Sequence, residues 1–318
     1  MKLQQLRYAV EVYRQNLNVS EAAEVLFTSQ PGISKQIRML EEELGVPLFV
    51  RHGKRMVAVT APGKIVLETA ERILREVQNI KSIGTEFADQ NIGSLTIATT
   101  HTLARYALPK IISAFVECYP QVQLSIHTAS PKAISHMVLE GEVDFAIGME
   151  MEMESEHPEL RKLSCKAWNR SIVVPDNHPL LDLKRPLRLE DITAYPLITY
   201  DIAFAEQSKI ARAFTQEGYQ LPRVKLASAD TDVIKTYVAQ GLGIGLLATM
   251  AFDSKQDEGL QQISAEHLFE PSFIQIILRQ DVYLRGFGYE FLALFAPGLT
   301  RSRIESALYS SYEEDFSI

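Results

Sequence analysis

The segment 99–102 (Thr-Thr-His-Thr) places three hydroxyl groups and one imidazole in four consecutive residues. It follows the apolar run 95–98, which predicts a strand, and it precedes an amphipathic run, which predicts a helix. The crevice beyond the carboxyl ends of the strands is the usual ligand position in an α/β sheet. Hydroxyl groups and the N–H groups of a helix N-terminus can donate to an anion there. Thr100 and Thr102 are therefore candidate ligand contacts, and simple helix capping is the alternative.

No set of residues typical of catalysis is recognisable in the sequence. There is no Ser-His-Asp arrangement, nucleophile elbow, phosphate-binding loop or carboxylate pair. The histidines are dispersed without an i, i+4 pair, which argues against a metal site. Cys118 and Cys165 do not have the spacing of a metal or redox motif and indicate reduced thiols. We therefore predict a protein that is not an enzyme and that holds no cofactor and no metal.

A second group of polar side chains lies in the first sixty residues. Apolar residues at helical spacing predict three short helices, the third with Ile33, Ile37 and Leu40 on its buried face. A tight turn at residues 27–29 precedes this third helix, and Gly45 ends it. Two helices joined by such a turn, with hydrogen-bonding side chains on the outer face of the second, are what a DNA-reading helix-turn-helix requires. The predicted DNA contacts of this unit are Ser20, Thr28, Ser29, Gln30, Ser34, Lys35 and Arg38.

A basic tip follows the third helix. Two short apolar runs, residues 46–50 and 56–59, predict a pair of strands around Arg51, Lys54 and Arg55. We predict that this hairpin is a wing whose basic residues contact DNA phosphates, and a solvated surface charge is the alternative for each of them alone. Residues 1–60 hold eight Lys and Arg against six Glu, whereas the whole chain has a net charge of −8. The basic part of the molecule is therefore this head.

One long helix is predicted from Ala61 to about Asp89, with Thr60 as its cap and Pro62 in its first turn. Its apolar residues recur at steps of four and three, which is an a/d heptad pattern, and such a seam must be buried against another helix. A small domain offers a long helix little core. The pattern therefore favours a coiled-coil dimer interface over packing on the helix's own domain. The seam consists of Val66, Ala70, Ile73, Val77, Ile80, Gly84 and Phe87.

The rest of the chain, from Ser94 to about Leu299, alternates short apolar runs with amphipathic helices. This alternation predicts an α/β fold with mainly parallel sheets, as one domain or as two subdomains around a cleft. The predicted helices include residues 104–118, 132–140, 209–217 and 232–240. The predicted strands are residues 95–98, 124–127, 145–147, 171–174, 197–200, 224–227, 244–247 and 274–278.

Length and composition fit this division. The chain has 318 residues, of which 46% are hydrophobic and 23% charged, as in an ordinary globular protein of about two domains. No apolar run is long enough to predict a membrane span, and no N-terminal apolar segment indicates secretion. We therefore expect a cytoplasmic protein without membrane association. Its predicted domains are residues 1–59 (winged head), 60–90 (linker helix) and 91–318 (ligand-binding body).

The residues of the head match a known family. The stretch AAEVLFTSQPGISKQIRMLEEELGVPLFVRHGKR resembles the winged helix-turn-helix of LysR-type transcriptional regulators. Its Ala-Ala, Ser-Gln-Pro, Ser-Lys-Gln-Ile and Leu-Glu-Glu-Glu-Leu-Gly elements stand in the family's order and spacing. The resemblance extends over nearly the whole chain, since GSLTIATTHTLARYALP, WNRSIVVP and DVIKTYVAQGLGIGLLA look like the CysB/Cbl branch of that family.

This resemblance implies both a fold and a function. The implied architecture is a winged head, a dimerising linker helix and a periplasmic-binding-protein-like α/β effector domain of two subdomains, assembled as homodimers and homotetramers. The implied function is effector-controlled, sequence-specific regulation of sulfur assimilation genes, for cysteine biosynthesis or sulfonate use. The implied partners are double-stranded DNA and an effector such as sulfate, thiosulfate or an acetylserine, with RNA polymerase as a further candidate. In this branch, the segment around Thr100 and Thr102 is part of the effector and sulfate pocket.

Three positions depart from the pattern of the branch. Leu103 stands where the branch has Gln, Met149 where it has Thr, and residues 205–207 (Ala-Glu-Gln) where it reads Thr-Gly-Arg. Each change removes a donor or adds apolar or negative character, whereas bound sulfate needs donors and positive potential. The alternative is therefore a LysR-type regulator of a different pathway with a less anionic effector. The predicted effector contacts are Thr100, Thr102, Leu103, Met149, Ala205 and Thr231, the last of which has helix capping as its alternative.

Overall fold

The computed structural model of the chain describes residues 1–53, 55–149, 157–201, 203–204 and 208–309. The chain forms two compact units, Met1–Ala88 and Asp89–Ile318. Among the described residues, no helix has both the length and the apolar character needed to cross a membrane.

The first unit combines helices with one β-hairpin. Its elements are α1 (Leu3–Arg14), α2 (Val19–Val25), α3 (Gln30–Leu44), β1 (Phe49–His52), β2 (Arg55–Val59) and α4 (Ala61–Ala88). Local signals set the ends of its helices. Asn18 accepts hydrogen bonds from two backbone N–H groups in the first turn of α2, at 3.1 and 3.3 Å. Gly45 ends α3 with a left-handed φ of 72°, which costs glycine little. Thr60 caps α4 by accepting from the N–H of Gly63 at 2.9 Å, as predicted.

The first half of α4 packs within this unit. Leu67 and Ala70 are buried in the same apolar cluster as Leu6 of α1, and Arg14 of α1 contacts Glu71 of α4 at 3.4 Å. This packing differs from the expectation that a small domain offers the helix little core, because α1 packs against α4 as well as against α3.

The second half of α4 is different. Ile80 is 67% exposed and Phe87 is 82% exposed. The predicted heptad seam is therefore divided between a half that packs inside the unit and a half that faces solvent.

One carboxylate fastens the hairpin to α3. Glu41 accepts from the backbone N–H groups of Leu48 and Phe49 at 2.8 and 3.1 Å, and from the guanidinium of Arg51 at 2.7 Å. We expect Glu41→Ala to lower the free energy of unfolding by about 2 kcal/mol, because it leaves these donors without an acceptor. The exposed neighbour Glu42 is the control, and its replacement by Ala should change that free energy by less than about 0.5 kcal/mol. Equal losses for both variants in urea denaturation would contradict this role of Glu41.

The second unit contains ten strands among its described residues. They are β3 (Gly93–Thr99), β4 (Val122–Thr128), β5 (Phe145–Met149), β6 (Leu160–Trp168), β7 (Arg170–Pro175), β8 (Leu197–Thr199), β9 (Val224–Ala227), β10 (Ile244–Ala248), β11 (Leu260–Ser264) and β12 (Ser272–Arg279). The α-helices of this unit are α5 (His101–Tyr106), α6 (Pro109–Cys118), α7 (Pro131–Glu140), α8 (Leu189–Thr193), α9 (Lys209–Gln216), α10 (Thr231–Ala239), α11 (Gly286–Phe295) and α12 (Arg301–Tyr309). Short 3-10 helices cover Pro179–Asp182, Thr249–Ala251 and Glu266–Leu268.

The strands form two five-stranded sheets, each of which defines a lobe. Lobe I has the strand order β4-β3-β5-β12-β6, and lobe II has the order β11-β7-β10-β8-β9. Each sheet has two parallel and two antiparallel pairs of neighbours. The α/β class with two subdomains is confirmed, but the prediction of mainly parallel sheets is wrong. In lobe I the reason is β12, which returns from lobe II and runs antiparallel to both β5 and β6.

The predicted helix 104–118 is in fact two helices, α5 and α6. Pro109 begins α6, because proline fits the first turn of a helix but not its interior. The break lets Phe115 of α6 pack on Phe291 of α11, with ring centroids 5.2 Å apart. It also leaves α5 as a short separate helix that ends at Tyr106, beside lobe II.

Candidate DNA-binding surface and effector site

Helix α3 presents a polar face to solvent. Ile33, Ile37 and Leu40 are fully buried beneath it, so the opposite face of the helix is open to a partner. Ser29, at the start of this face, caps α3 by accepting from the N–H of Gly32 at 3.3 Å. The predicted contacts Thr28 and Ser34 are half-buried, and the exposed ones are Ser20, Ser29, Gln30, Lys35 and Arg38. Side chains of this kind on the second helix of a helix-turn-helix can reach base edges in the major groove.

The hairpin β1–β2 forms the predicted wing, with antiparallel pairing from Phe49–Val59 to His52–Arg55. Arg55 is exposed near the tip, as a phosphate contact requires. Arg51 is half-buried and bound to Glu41, so it helps to fasten the wing to α3. Lys54, the third predicted phosphate contact, lies outside the described residues.

Two predicted effector residues meet across the lobes. The hydroxyl oxygens of Thr102 in α5 and Thr231 in α10 are 2.9 Å apart, and both residues are buried. The hydroxyl of Tyr200, which follows β8, lies 3.0 Å from that of Thr231. Thr231 does not cap α10, because Asp230 does so by accepting from the N–H of Asp232. The site thus joins hydroxyl groups of both lobes.

Thr100 precedes α5 but does not cap it with its side chain. Its Oγ1 is buried and has no hydrogen-bond partner among the described residues. The adjacent Thr99, in contrast, donates to the carbonyl of Ile147 at 2.7 Å and ties β3 to β5. A buried hydroxyl without a partner is costly, so ligand contact by Thr100 stays a prediction.

The positions that depart from the branch pattern have different surroundings. Leu103 is fully buried in the main apolar cluster of the second unit, where it has a packing role. Met149 ends β5 and is partly buried against the same cluster. Ala205, with its neighbours Glu206 and Gln207, lies outside the described residues. Contact of Leu103, Met149 or Ala205 with an effector stays a prediction.

A charged cluster lies one helical turn beyond the Thr102–Thr231 pair. The ammonium of Lys235 in α10 contacts carboxylate oxygens of Asp257 at 2.7 Å and Asp232 at 3.1 Å. The hydroxyl of Tyr106 in α5 donates to Asp232 at 2.5 Å and accepts from Lys235 at 2.7 Å. Arg105 contacts the second oxygen of Asp232 at 2.7 Å. The sequence does not predict this cluster, since only the i, i+3 spacing of Asp232 and Lys235 signals it.

These contacts keep the cluster ionised. Burial alone lowers the pKa of Lys235, which is 6% exposed, but its hydrogen bonds to Asp257, Tyr106 and Asp232 raise that pKa to about 12. Burial raises the pKa of Asp232, but hydrogen bonds from Tyr106 and Lys235 outweigh it and hold the pKa below its usual value. Lys235 and Asp232 are therefore both charged at neutral pH.

Comparisons with known proteins agree with this arrangement. Residues 3–64 match the family described as "Bacterial regulatory helix-turn-helix protein, lysR family", and residues 88–295 match the "LysR substrate binding domain". The chain is 46% identical to the HTH-type transcriptional regulator SsuR of Burkholderia cenocepacia, over 97% of this chain and 99% of that protein. It is 47% identical to CysB of the same organism, over 98% of this chain and 99% of that protein.

A solved structure gives the same result for the second unit. The cofactor-binding domain of the Cbl transcriptional regulator is 39% identical to this chain and superposes with a TM-score of 0.63, covering 69% of this chain and 95% of that domain. Both units of the chain are thus accounted for by one family, whose members are DNA-binding regulators and not enzymes. The chain belongs to the LysR family of transcriptional regulators, in which it is similar to CysB, SsuR and Cbl.

Proposed function

We propose that this regulator controls genes of sulfur assimilation, for cysteine biosynthesis or sulfonate use, in response to a small molecule bound between its two lobes. The observation that carries the proposal is the meeting of Thr102 and Thr231 across the lobes, in a chain that is similar to CysB over nearly its whole length. A ligand that reaches these hydroxyls touches both lobes. It can therefore shift their arrangement to the extent that it prefers one arrangement over another.

The head would read the operator. Gln30, Ser34, Lys35 and Arg38 bias the choice of sequence, with Ser20, Thr28 and Ser29 beside them, and Lys54 and Arg55 contact phosphates. Arg51, which is bound to Glu41, holds the wing against α3. The exposure of Gln30, Lys35, Arg38 and Arg55 supports these roles. Two copies of α3 enter successive major grooves of a pseudo-palindromic site.

The exposed half of α4 supports dimerisation through the linker helix. Ile80, Ile83 and Phe87 are exposed apolar side chains along its last turns, and a second copy of the helix would bury them in a coiled coil. Such dimers associate as tetramers in the cytoplasm, and RNA polymerase is a further partner of the DNA-bound form.

The described groups at the effector site favour a ligand that accepts hydrogen bonds from neutral donors. Hydroxyl groups come from Thr100, Thr102, Thr231 and Tyr200, and Lys235 is already bound by two carboxylates. Sulfate, thiosulfate or an acetylserine can be held in this way. The second candidate, a less anionic effector of a different pathway, is favoured by the apolar residue Met149, which is only partly buried at the end of β5.

Thermal unfolding of the full chain tests the effector. The compounds are sulfate, thiosulfate, O-acetylserine, N-acetylserine and a panel of apolar acids. A ligand at 100 times its dissociation constant adds about 2.7 kcal/mol of stability. We expect Thr231→Val to weaken its binding about tenfold, because one hydrogen-bonding hydroxyl is removed from a buried site. Tyr195→Phe removes a hydroxyl elsewhere in lobe II and is the control.

The outcomes separate the candidates. An affinity unchanged in Thr231→Val would place the effector elsewhere in the molecule. A response to an apolar acid and to none of the sulfur compounds would assign the regulator to a different pathway. Gel shifts with fragments upstream of sulfur genes, against unrelated promoters, test the pathway without any effector.

A further inference from the structure

Helices α5 and α10 meet across the lobes in two contacts. The first contact joins Thr102 and Thr231, and the second joins Tyr106 and Lys235. The two contacts are four residues apart on each helix, so they lie one helical turn apart on the same facing sides. The geometry of the second contact therefore constrains the geometry of the first contact.

The second contact, between Tyr106 and Lys235, has the stronger hydrogen bonds. The phenol of Tyr106 both donates to an ionised carboxylate and accepts from an ammonium, at 2.5 and 2.7 Å. Hydrogen bonds to ionised partners are shorter and stronger than neutral ones. The first contact, in contrast, is a pair of neutral hydroxyl groups from Thr102 and Thr231.

The cluster can release Tyr106 without leaving a charge unpaired. Lys235 also contacts Asp232, Asp257 and the backbone carbonyl of Ala251, at 3.1, 2.7 and 3.1 Å. All three partners belong to lobe II, so they stay with the ammonium if the lobes move. A buried charge without any partner would be strongly destabilising. Arg105 of α5 also contacts Asp232, at 2.7 Å, but its side chain is 58% exposed and water can replace Asp232 there. The contacts of the cluster with lobe I are therefore ones that the protein can make and break.

We propose that the hydroxyl of Tyr106 is a positioning group, which holds α5 in register with α10 and thereby sets the geometry of the Thr102–Thr231 pair. The proposal rests on the proposed function only in its last step, that the effector binds at this pair. The register of the two helices is a property of the protein alone, and it can be measured without a ligand.

Tyr106→Phe removes the hydroxyl and keeps the ring. Hydrogen exchange of the full chain without ligand then reports local opening. We expect the amides of α5 and α10 to exchange about tenfold faster or more, because two hydrogen bonds to ionised groups are removed. The amides of α3 and α7 should keep their rates, and Tyr195→Phe should leave all rates unchanged. Unchanged exchange in α10, or equal acceleration in all helices, would overturn the proposal.

A double-mutant cycle tests the positioning itself. Thr102→Val is measured alone and together with Tyr106→Phe. If the phenol sets the register, the effect of Thr102→Val on exchange in α10 becomes smaller once the phenol is gone, because the two hydroxyls no longer meet. Equal effects in both backgrounds would show that Tyr106 acts independently and would overturn the proposal. A failure of the proposed function would give a different result. The coupling between Thr102 and Tyr106 would remain, whereas Thr231→Val would bind sulfate, thiosulfate or the acetylserines with the affinity of the unchanged chain.

Discussion

Ile80→Glu is expected to make this regulator a monomer and to lower its affinity for operator DNA by about a hundredfold or more. Ile80 is 67% exposed in the single chain, and the heptad pattern places it on the seam of α4. In a dimer that seam is apolar and excludes water, so each added carboxylate would be buried without a cation. A monomer also holds only one recognition helix, and it cannot bind the second half-site. Sedimentation equilibrium and gel shifts measure the two effects.

Ile65→Glu is the matched control. Ile65 is also 67% exposed and lies on the same helix, but it is not one of the seam residues. The Ile65→Glu variant should remain dimeric and bind the operator as the unchanged chain does. If both variants stay dimeric, the exposed half of α4 is not the dimer interface. If both become monomeric, the interface is wider than the a/d seam.

The head could be predicted closely from its sequence because its signals are local. Gly45 and Thr60 act on backbone groups a few residues away, and the structure confirms both. The partner of α4 could not be predicted in the same way. Its heptad pattern states that an apolar face must be buried, but the packing of Leu67 beside Leu6 depends on how α1 folds back.

The second unit is less predictable from its sequence, because the pairing of its strands depends on the order in which the chain passes through the two lobes. The sequence does not predict β6 (LRKLSCKAW) or β11 (LQQIS), because polar residues interrupt both strands and neither shows an apolar run or a regular alternation. The direction of β12 depends on its return from lobe II, which no local pattern records.

The candidate effector site is also only partly predictable from the sequence. The sequence predicts Thr102 at a boundary between a strand and a helix and Thr231 at the start of a helix, yet their contact joins residues 129 positions apart. The cluster around Lys235 was missed, because a lysine predicts an exposed position unless its partners are known. Those partners come from both lobes, and only the folded chain brings Tyr106 and Asp257 to it.

Arg38→Ala is expected to reduce the preference of the regulator for its operator. Arg38 is exposed on the outer face of α3, and a bidentate contact from arginine to guanine contributes about 1–3 kcal/mol of discrimination. A dimer carries Arg38 on both recognition helices, so the affinity of the variant for the operator should fall by about a hundredfold or more. Binding to unrelated DNA should change much less, because it depends mainly on phosphates. Competition gel shifts with operator and unrelated fragments measure the ratio.

Arg55→Ala is the matched comparison, because it removes the same charge from the wing. It should weaken binding to both kinds of DNA about equally, and it should reduce the slope of log affinity against log salt by about 0.9 for each phosphate that is no longer neutralised. The two arginines therefore differ in which quantity they change, the specificity ratio for Arg38 and the salt slope for Arg55. If Arg38→Ala lowers binding to both kinds of DNA equally, Arg38 contacts phosphates. Gln30, Ser34 and Lys35 would then make the contacts with the bases.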